Sequence, residues 1–221
     1  MIYKYSEIKP LWHTLTENQQ NNVIDQLSSS GLKDEIQQLN YIPGSMVDNI
    51  DIELSLFKWV KVNTAPSNWS GEYILVSSDD RQIANQDLAN HYMECGDIVI
   101  INGTIEEDAV EDAGGKIFTI GNQKFIQSGT YSGKWSYSIS YIDGNDSRKF
   151  LKYSSSGLIT SGSLGSTNEG YWYIGFSSGK LIIANIYNTT TQLRFYNGHI
   201  QQIANPSSSY HNLSLFSLQQ V

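Results

Sequence analysis

The chain has 221 residues, which is enough for one domain of ordinary size to bury a core without disulfides or metals. Only 16% of the residues are charged and the net charge is -8, so the clustered Lys and Arg of a nucleic-acid groove or a basic membrane-surface patch are not expected. One cysteine, Cys95, excludes an internal disulfide framework and a cysteine-cluster zinc site. No run of eighteen apolar residues occurs, so no membrane-spanning helix is expected either.

The first fifty residues predict two short helices. Thr16 and Gln19 form a capping-box pattern in front of the first predicted helix, residues 17–27. The apolar stripe of that helix is narrow and consists of Val23, Ile24 and Leu27. The second helix is marked by Leu32, Ile36 and Leu39. With so few apolar residues, the segment is either a small cap on the main domain or a docking and oligomerisation segment, and we take these six residues as its candidate contacts.

From about Ile52 the apolar period changes to two, which predicts strands. Short apolar runs alternate with turn residues to the end of the chain, and hairpin turns are indicated at Gly121-Asn122, Asp143-Gly144, Ser178-Gly179 and Asn197-Gly198. The apolar run 148–159 resembles the run 191–200, and each follows an aromatic strand. We therefore predict an all-β domain over residues 51–221, either β-trefoil-like or a partly closed barrel or sandwich.

Aromatic residues carry the clearest binding signal. In residues 135–141 the aromatic and serine residues alternate strictly, which predicts aromatic side chains in a core and serines on a wet face. In Tyr171-Trp172-Tyr173 the tryptophan must point away from its neighbours, so one face of that strand meets solvent, a ligand or another chain. The alternative is a tryptophan that covers one end of a barrel. Candidate ligand-binding residues are Trp172, Tyr171, Tyr173, Tyr196 and Tyr153.

Signals for catalysis and metal binding are weak. The four histidines lack metal-ligand spacing, and Cys95 lies among carboxylates that disfavour a thiolate, so a structural role is expected for it. The acidic run 106–112 is either a solvated loop or a cation site, and it lacks the spacing of an EF-hand. We expect no catalytic residues, no metal and no cofactor.

Residues 58–218 resemble a known β-rich module. The segment 65–76 is similar to the motif A-P-x-D-W-S-G-x-Y-L-I-V, and weaker matches follow at residues 150–154, 193–196 and 213–218. That module recurs at the C-termini of secreted and surface proteins of Bacteroides-type gut bacteria. The resemblance implies a non-catalytic accessory role in binding glycans or surfaces.

Three features depart from this family: the chain shows no signal peptide, no partner enzyme domain, and a short helical leader. A phage that infects such bacteria and carries the module on its particle would explain all three. We therefore predict a non-enzymatic virion protein, a head or tail fibre or decoration protein, with other virion proteins, its own copies and host surface glycans as partners. The alternative is a secreted or cell-surface carbohydrate-binding module of the bacterium, and a glycan hydrolase is a third, less favoured class.

Overall fold

A computed structural model describes residues 2–15, 17–29, 46–53, 57–85 and 87–220. The chain divides into two units, residues 1–56 and residues 57–219. The described part of the first unit is mainly helical and the second is built from strands, which confirms an all-β fold with a short helical N-terminal segment.

The N-terminal unit combines short helices with one two-stranded sheet. Its described elements are β1 (Ile2–Lys4), α1 (Tyr5–Ile8), a 3₁₀ helix (Lys9–Thr14), α2 (Glu17–Ser29), a second 3₁₀ helix (Met46–Asn49) and β2 (Asp51–Glu53). Strands β1 and β2 are antiparallel, with Tyr3 opposite Ile52. A small core joins α2 to the remaining elements and consists of Ile8, Leu15, Val23, Leu27 and Ile52.

This core corrects part of the predicted docking stripe. Val23 and Leu27 are spaced one helical turn apart and are both fully buried inside the unit. Because this packing already covers them, they are not available for contacts with another chain in this conformation. Ile24 is partly buried. The remaining candidates, Leu32, Ile36 and Leu39, and the capping residue Thr16 lie outside the described residues.

The second unit contains fourteen described strands and one short helix. They are β3 (Phe57–Lys61), β4 (Gly71–Ser77), β5 (Gln82–Ala84), β6 (Tyr92–Asp97), β7 (Thr104–Glu106), α3 (Glu107–Asp112), β8 (Ile117–Phe125), β9 (Trp135–Ile142), β10 (Arg148–Lys152), β11 (Ile159–Ser161), β12 (Tyr171–Ser177), β13 (Lys180–Asn185), β14 (Thr191–Tyr196), β15 (His199–Ala204) and β16 (Leu213–Gln220). A 3₁₀ turn, Asn168–Gly170, precedes β12.

Strand pairing repeats one arrangement three times. Each repeat has an outer strand, an inner hairpin and a second outer strand: β4, β5–β6 and β8; β9, β10–β11 and β12; β13, β14–β15 and β16. The outer strands pair in the order β16-β4-β8-β9-β12-β13. This threefold repeat makes the six-stranded barrel trefoil-like. Among the described residues no ladder joins β13 to β16, so the barrel is open along one seam.

The first repeat is longer than the others because β7 and α3 lie between its hairpin and its last strand. This insertion explains why the repeat is hard to see at the N-terminal end of the β-rich region. The match between residues 148–159 and 191–200 is correct, since β10 and β14 hold equivalent places. The aromatic strand Tyr171–Ser177, however, ends the second repeat, and β13 is the true counterpart of β9.

Two apolar layers hold the second unit together. Inside the barrel, all three repeats contribute side chains, including Trp69, Tyr73, Tyr137, Trp172 and Leu215. A second layer lies between the outer side of the barrel and the β3, β7 and α3 segment, and contains Trp59, Ile74, Val76, Ile105, Val110 and Phe216. Strand β4 contributes alternate residues to both layers, which explains its uninterrupted apolar run.

The predicted hairpin turns are mostly confirmed. Ser178-Gly179 and Asn197-Gly198 have positive φ at both residues, and they join β12 to β13 and β14 to β15. Asp143-Gly144 lies in the longer turn between β9 and β10. The prediction at Gly121-Asn122 is wrong, because β8 continues through it with a register shift between Gly121 and Lys124.

In strand β9 the prediction of buried aromatic residues is largely confirmed, whereas the prediction of solvent-exposed serines is wrong. Tyr137 and Tyr141 are buried in the core as expected, whereas Trp135 is 49% exposed. The serines are buried too, and not on a wet face. Each donates its hydroxyl hydrogen to a carbonyl oxygen of β8, at 2.8 Å for Ser136, 3.1 Å for Ser138 and 3.4 Å for Ser140. These bonds compensate the cost of burying hydroxyl groups.

The acidic run 106–112 forms a helix and not a loop. Glu106 ends β7 and pairs with Lys58 at 2.9 Å, and α3 begins at the next residue. Val110 anchors this helix in the outer apolar layer. A single buried apolar residue within an acidic stretch is too weak a pattern to predict a helix of this length.

Trp172 provides a test of the barrel core. Its indole N–H donates to the carbonyl oxygen of Leu151 at 3.0 Å, and the side chain is fully buried. We expect Trp172→Phe to lower the free energy of unfolding by about 1–3 kcal/mol, because a buried carbonyl loses its donor and the core loses volume. Urea unfolding measures this change.

Trp135→Phe is the matched control, because the Trp135 side chain is half exposed on the neighbouring strand. It should change the free energy of unfolding by less than about 0.5 kcal/mol. Equal effects of the two substitutions would contradict the different environments of the two rings.

Candidate functional site

The open seam of the barrel forms a groove of about 740 Å³. This volume is in the range of small-molecule binding sites. The β12–β13 turn and the first residues of β13 lie on one side, and β16 with the preceding segment 206–212 lies on the other. The other neighbouring barrel strands are joined by hydrogen-bonded ladders. In the described structure β13 and β16 share no ladder, so a cleft lies between them, lined by their side chains and by turn residues.

Positive charge is concentrated in this seam groove. Lys61, Lys180 and Arg194 line it, and the lining contains no Asp or Glu among the described residues. The Lys61 ammonium is paired outside the lining, 2.6 Å from a carboxylate oxygen of Asp80. Lys180 is exposed at the start of β13. In a chain of net charge -8, a groove with this charge is a local exception.

Two polar atoms on the lining residues have no hydrogen-bond partner. They are Nε of Arg194 and Oδ1 of Asn212, and both are buried. The Arg194 guanidinium donates through Nη2 to the side-chain oxygen of Gln192. Burial lowers the pKa of Arg194 from its ordinary value, and the nearby Tyr131 opposes this change. Arg194 remains charged at neutral pH because an arginine pKa lies far above it.

An aromatic pair borders the groove. Tyr210 lines it, and the Tyr196 ring lies 4.9 Å from the Tyr210 ring at an angle of 52°. Gln192, Arg194 and Tyr196 alternate with buried residues on β14, so they share the outward face of that strand. Tyr196 is 43% exposed, which leaves part of its ring open to a ligand.

The other predicted ligand-binding residues do not line the groove. Trp172 is fully buried in the barrel core, which removes it from the candidate set. Tyr173 is stacked on Tyr131 with ring centroids 4.2 Å apart. Tyr171 is covered by the ammonium of Lys124, 4.9 Å from its ring centroid.

Tyr153 belongs to a separate aromatic pair. Its ring lies 5.7 Å from the ring of Tyr187, which is largely exposed, and its hydroxyl accepts a hydrogen bond from Asn188 at 3.1 Å. Of the five predicted residues, only Tyr196 is therefore brought to the edge of the seam groove.

The feature of the sequence that points to the groove is the position of its few C-terminal charged residues, and not its aromatic residues. From residue 154 to the end, the only fully charged residues are Glu169, Lys180 and Arg194. Two of these three line the same groove. Asn212 and Tyr210 have no comparable signal, because the chain is rich in both residue types.

Other reactive groups form no evident site. Within the described ranges no cluster of three His, Cys, Asp or Glu side chains has a geometry suited to a metal ion. The part of the chain that the structure describes also contains no helix long and apolar enough to cross a membrane. Burial raises the pKa of the Cys95 thiol to about 12, and Glu94 adds to this shift, while a hydrogen bond from the Ile200 backbone opposes it.

Comparison with known proteins yields distant structural neighbours only. No protein-family model and no curated protein matches the chain. Similar solved structures include SeviL bound to asialo-GM1 saccharide, with 15% identity over 69% of this chain and 98% of that chain and a TM-score of 0.38. A mosquitocidal holotoxin shows 12% identity over 69% of this chain and 18% of that one, TM-score 0.42. The lysenin pore shows 10% identity over 82% and 56%, TM-score 0.40. These TM-scores are too low for a shared fold or function to be inferred.

The protonated state of Cys95 leads to a prediction about its reactivity. A thiol with a pKa near 12 is almost entirely protonated at pH 8, and the thiolate is the reactive form. A disulfide reagent should therefore label the native chain more than about a hundredfold more slowly than free cysteine, with a rate that rises with pH.

The same chain unfolded in urea is the control, since it contains no other cysteine. Labelling of the native protein at the rate of the unfolded one would show that the thiol is open and ionised.

Proposed function

We propose that residues 57–219 form a carbohydrate-binding module and that its ligand lies in the seam groove. The observation that carries the proposal is the groove itself, which lies beside a partly exposed aromatic pair and is lined by hydroxyl, amide and guanidinium side chains. Aromatic faces pack on the C–H faces of sugar rings, and amide and guanidinium groups bind their hydroxyls.

The composition of the lining also suits a sugar better than an apolar ligand. Ser207, Ser208 and Ser214 supply hydroxyl groups, and Tyr210 and Asn212 supply further polar groups. Leu181, Leu213 and Phe176 form the apolar part. Specific small-molecule sites combine an apolar surface with a few placed polar groups, and a sugar ring requires both.

The setting of the module is a second part of the proposal. We place it on a phage particle as an attachment protein, in which several copies contact host glycans, and keep a bacterial secreted or cell-surface module as the alternative. What supports the particle is the resemblance of residues 58–218 to the Bacteroides-type module together with the gain in avidity from many copies. Mass spectrometry of purified virions tests this part, and absence of the protein from the particles would contradict it.

The glycan-binding part is tested with a glycan array probed by the full chain displayed on beads. Tyr196→Ala should weaken binding to the glycans that the wild type selects by about fivefold to tenfold, because it removes the exposed ring beside Tyr210. Titration of one selected glycan in solution gives the affinity.

Phe125→Ala is the matched control, since Phe125 is an exposed aromatic residue that does not line the groove. Tyr187→Ala tests the separate Tyr153–Tyr187 pair. Loss of binding in Tyr187→Ala with full binding in Tyr196→Ala would place the ligand outside the seam groove. No binding of the wild type at high valency would contradict glycan binding altogether.

A further inference from the structure

From the charge of the seam groove we infer that it takes a sugar bearing a carboxylate, a sialic or uronic acid at a chain end, in preference to a neutral sugar. This inference rests on the proposed function, because it names the ligand class of the same groove. It depends on two features of the lining among the described residues: its cations and its lack of carboxylates.

The guanidinium of Arg194 is the centre of the inferred contact. It is partly buried, and of its donors Nη2 is used by Gln192 while Nε has no acceptor. A buried cation with an unmatched donor is unfavourable, and a neighbouring anion removes much of that cost. In the described structure no carboxylate of the chain is paired with Arg194, and Glu169, the only acid after residue 153, pairs with Lys152. An anion that pairs with this guanidinium would therefore come from outside the described part of the chain.

Lys180 gives this anion a second cation. It begins β13, directly after the Ser178-Gly179 turn that forms one wall of the groove. Its side chain is exposed and has no ion-pair partner among the described residues. Lys61 contributes less, because Asp80 holds its ammonium through both carboxylate oxygens, at 2.8 Å and 2.6 Å.

The hydroxyl-rich and aromatic lining explains why the anion is a sugar and not a simple ion. Ser207, Ser208 and Tyr210 line the groove with hydroxyl groups that both donate and accept hydrogen bonds, as the hydroxyl groups of a sugar do. Phosphate and sulfate offer acceptors to Arg194 but have no ring to contact the tyrosines. A sugar acid brings a carboxylate for Arg194 and hydroxyl groups for the serines, with a ring to contact Tyr196 and Tyr210.

The test compares a sialylated and a uronate-terminated oligosaccharide with their neutral parent oligosaccharides by titration calorimetry on the full chain. The acidic sugars should bind at least about tenfold more tightly than the neutral parents, as expected for a charge-assisted hydrogen bond. Added salt should reduce this difference. Arg194→Gln and Lys180→Gln should each weaken binding of the acidic sugars more than binding of the neutral parents.

Lys134→Gln is the matched charge control, because Lys134 is exposed and does not line the groove. Lys180→Gln protects the test against misfolding, since it changes an exposed side chain, and thermal melting checks both variants.

The outcomes separate the two proposals. Equal affinity for acidic and neutral sugars, with both sensitive to Tyr196→Ala, would overturn the carboxylate and leave glycan binding in place. Binding of free phosphate or sulfate as tight as that of the sugar acid would show an anion site without sugar selectivity, and would overturn the inference too. No binding of any sugar would overturn the proposed function itself.

Discussion

The six barrel strands contribute side chains to one core. That core must hold the barrel together, because in the described structure only five of the six neighbouring strand pairs are joined by a hydrogen-bonded ladder. Trp172, Tyr137 and Leu215 come from different repeats and meet inside the barrel, so burial of apolar surface joins strands that hydrogen bonds leave apart. The outer layer around Trp59 and Phe216 fixes β4 and β16 from the other side. With the barrel held in this way, the seam between β13 and β16 is open as a groove.

The seam also explains where the charge of the C-terminal half lies. Arg194 of β14 and Lys180 of β13 both line the groove at this seam, and the lining contains no acid among the described residues. The low charge of the whole chain makes this concentration significant, because few other charges screen or oppose it.

Much of the fold follows from local rules that act within one strand or turn. Positive φ at Ser178-Gly179 and Asn197-Gly198 sets two hairpins, and these residue pairs are visible without a structure. The alternation of residues in β9 and β12 predicts which side chains share a face of the strand. It does not predict which face points into the core, or whether both faces are buried. Thus Ser138 is buried beside β8, and Trp172, predicted to be a ligand-binding residue, is part of the core. The groove depends on strands β13 and β16, which are about thirty residues apart, and no local pattern encodes the missing ladder between them.

The small size of the groove and the buried stripe of α2 bear on how several copies of the chain could act together. The partly exposed aromatic pair and two cations make a small contact area, so under the proposed function a single groove would bind a sugar weakly and attachment would require several copies. The apolar stripe of α2 does not supply that multiplicity, because Val23 and Leu27 are enclosed in the core of their own unit. Any contacts between copies would therefore use residues other than this pair, because the described part of the N-terminal unit is folded around a core of its own.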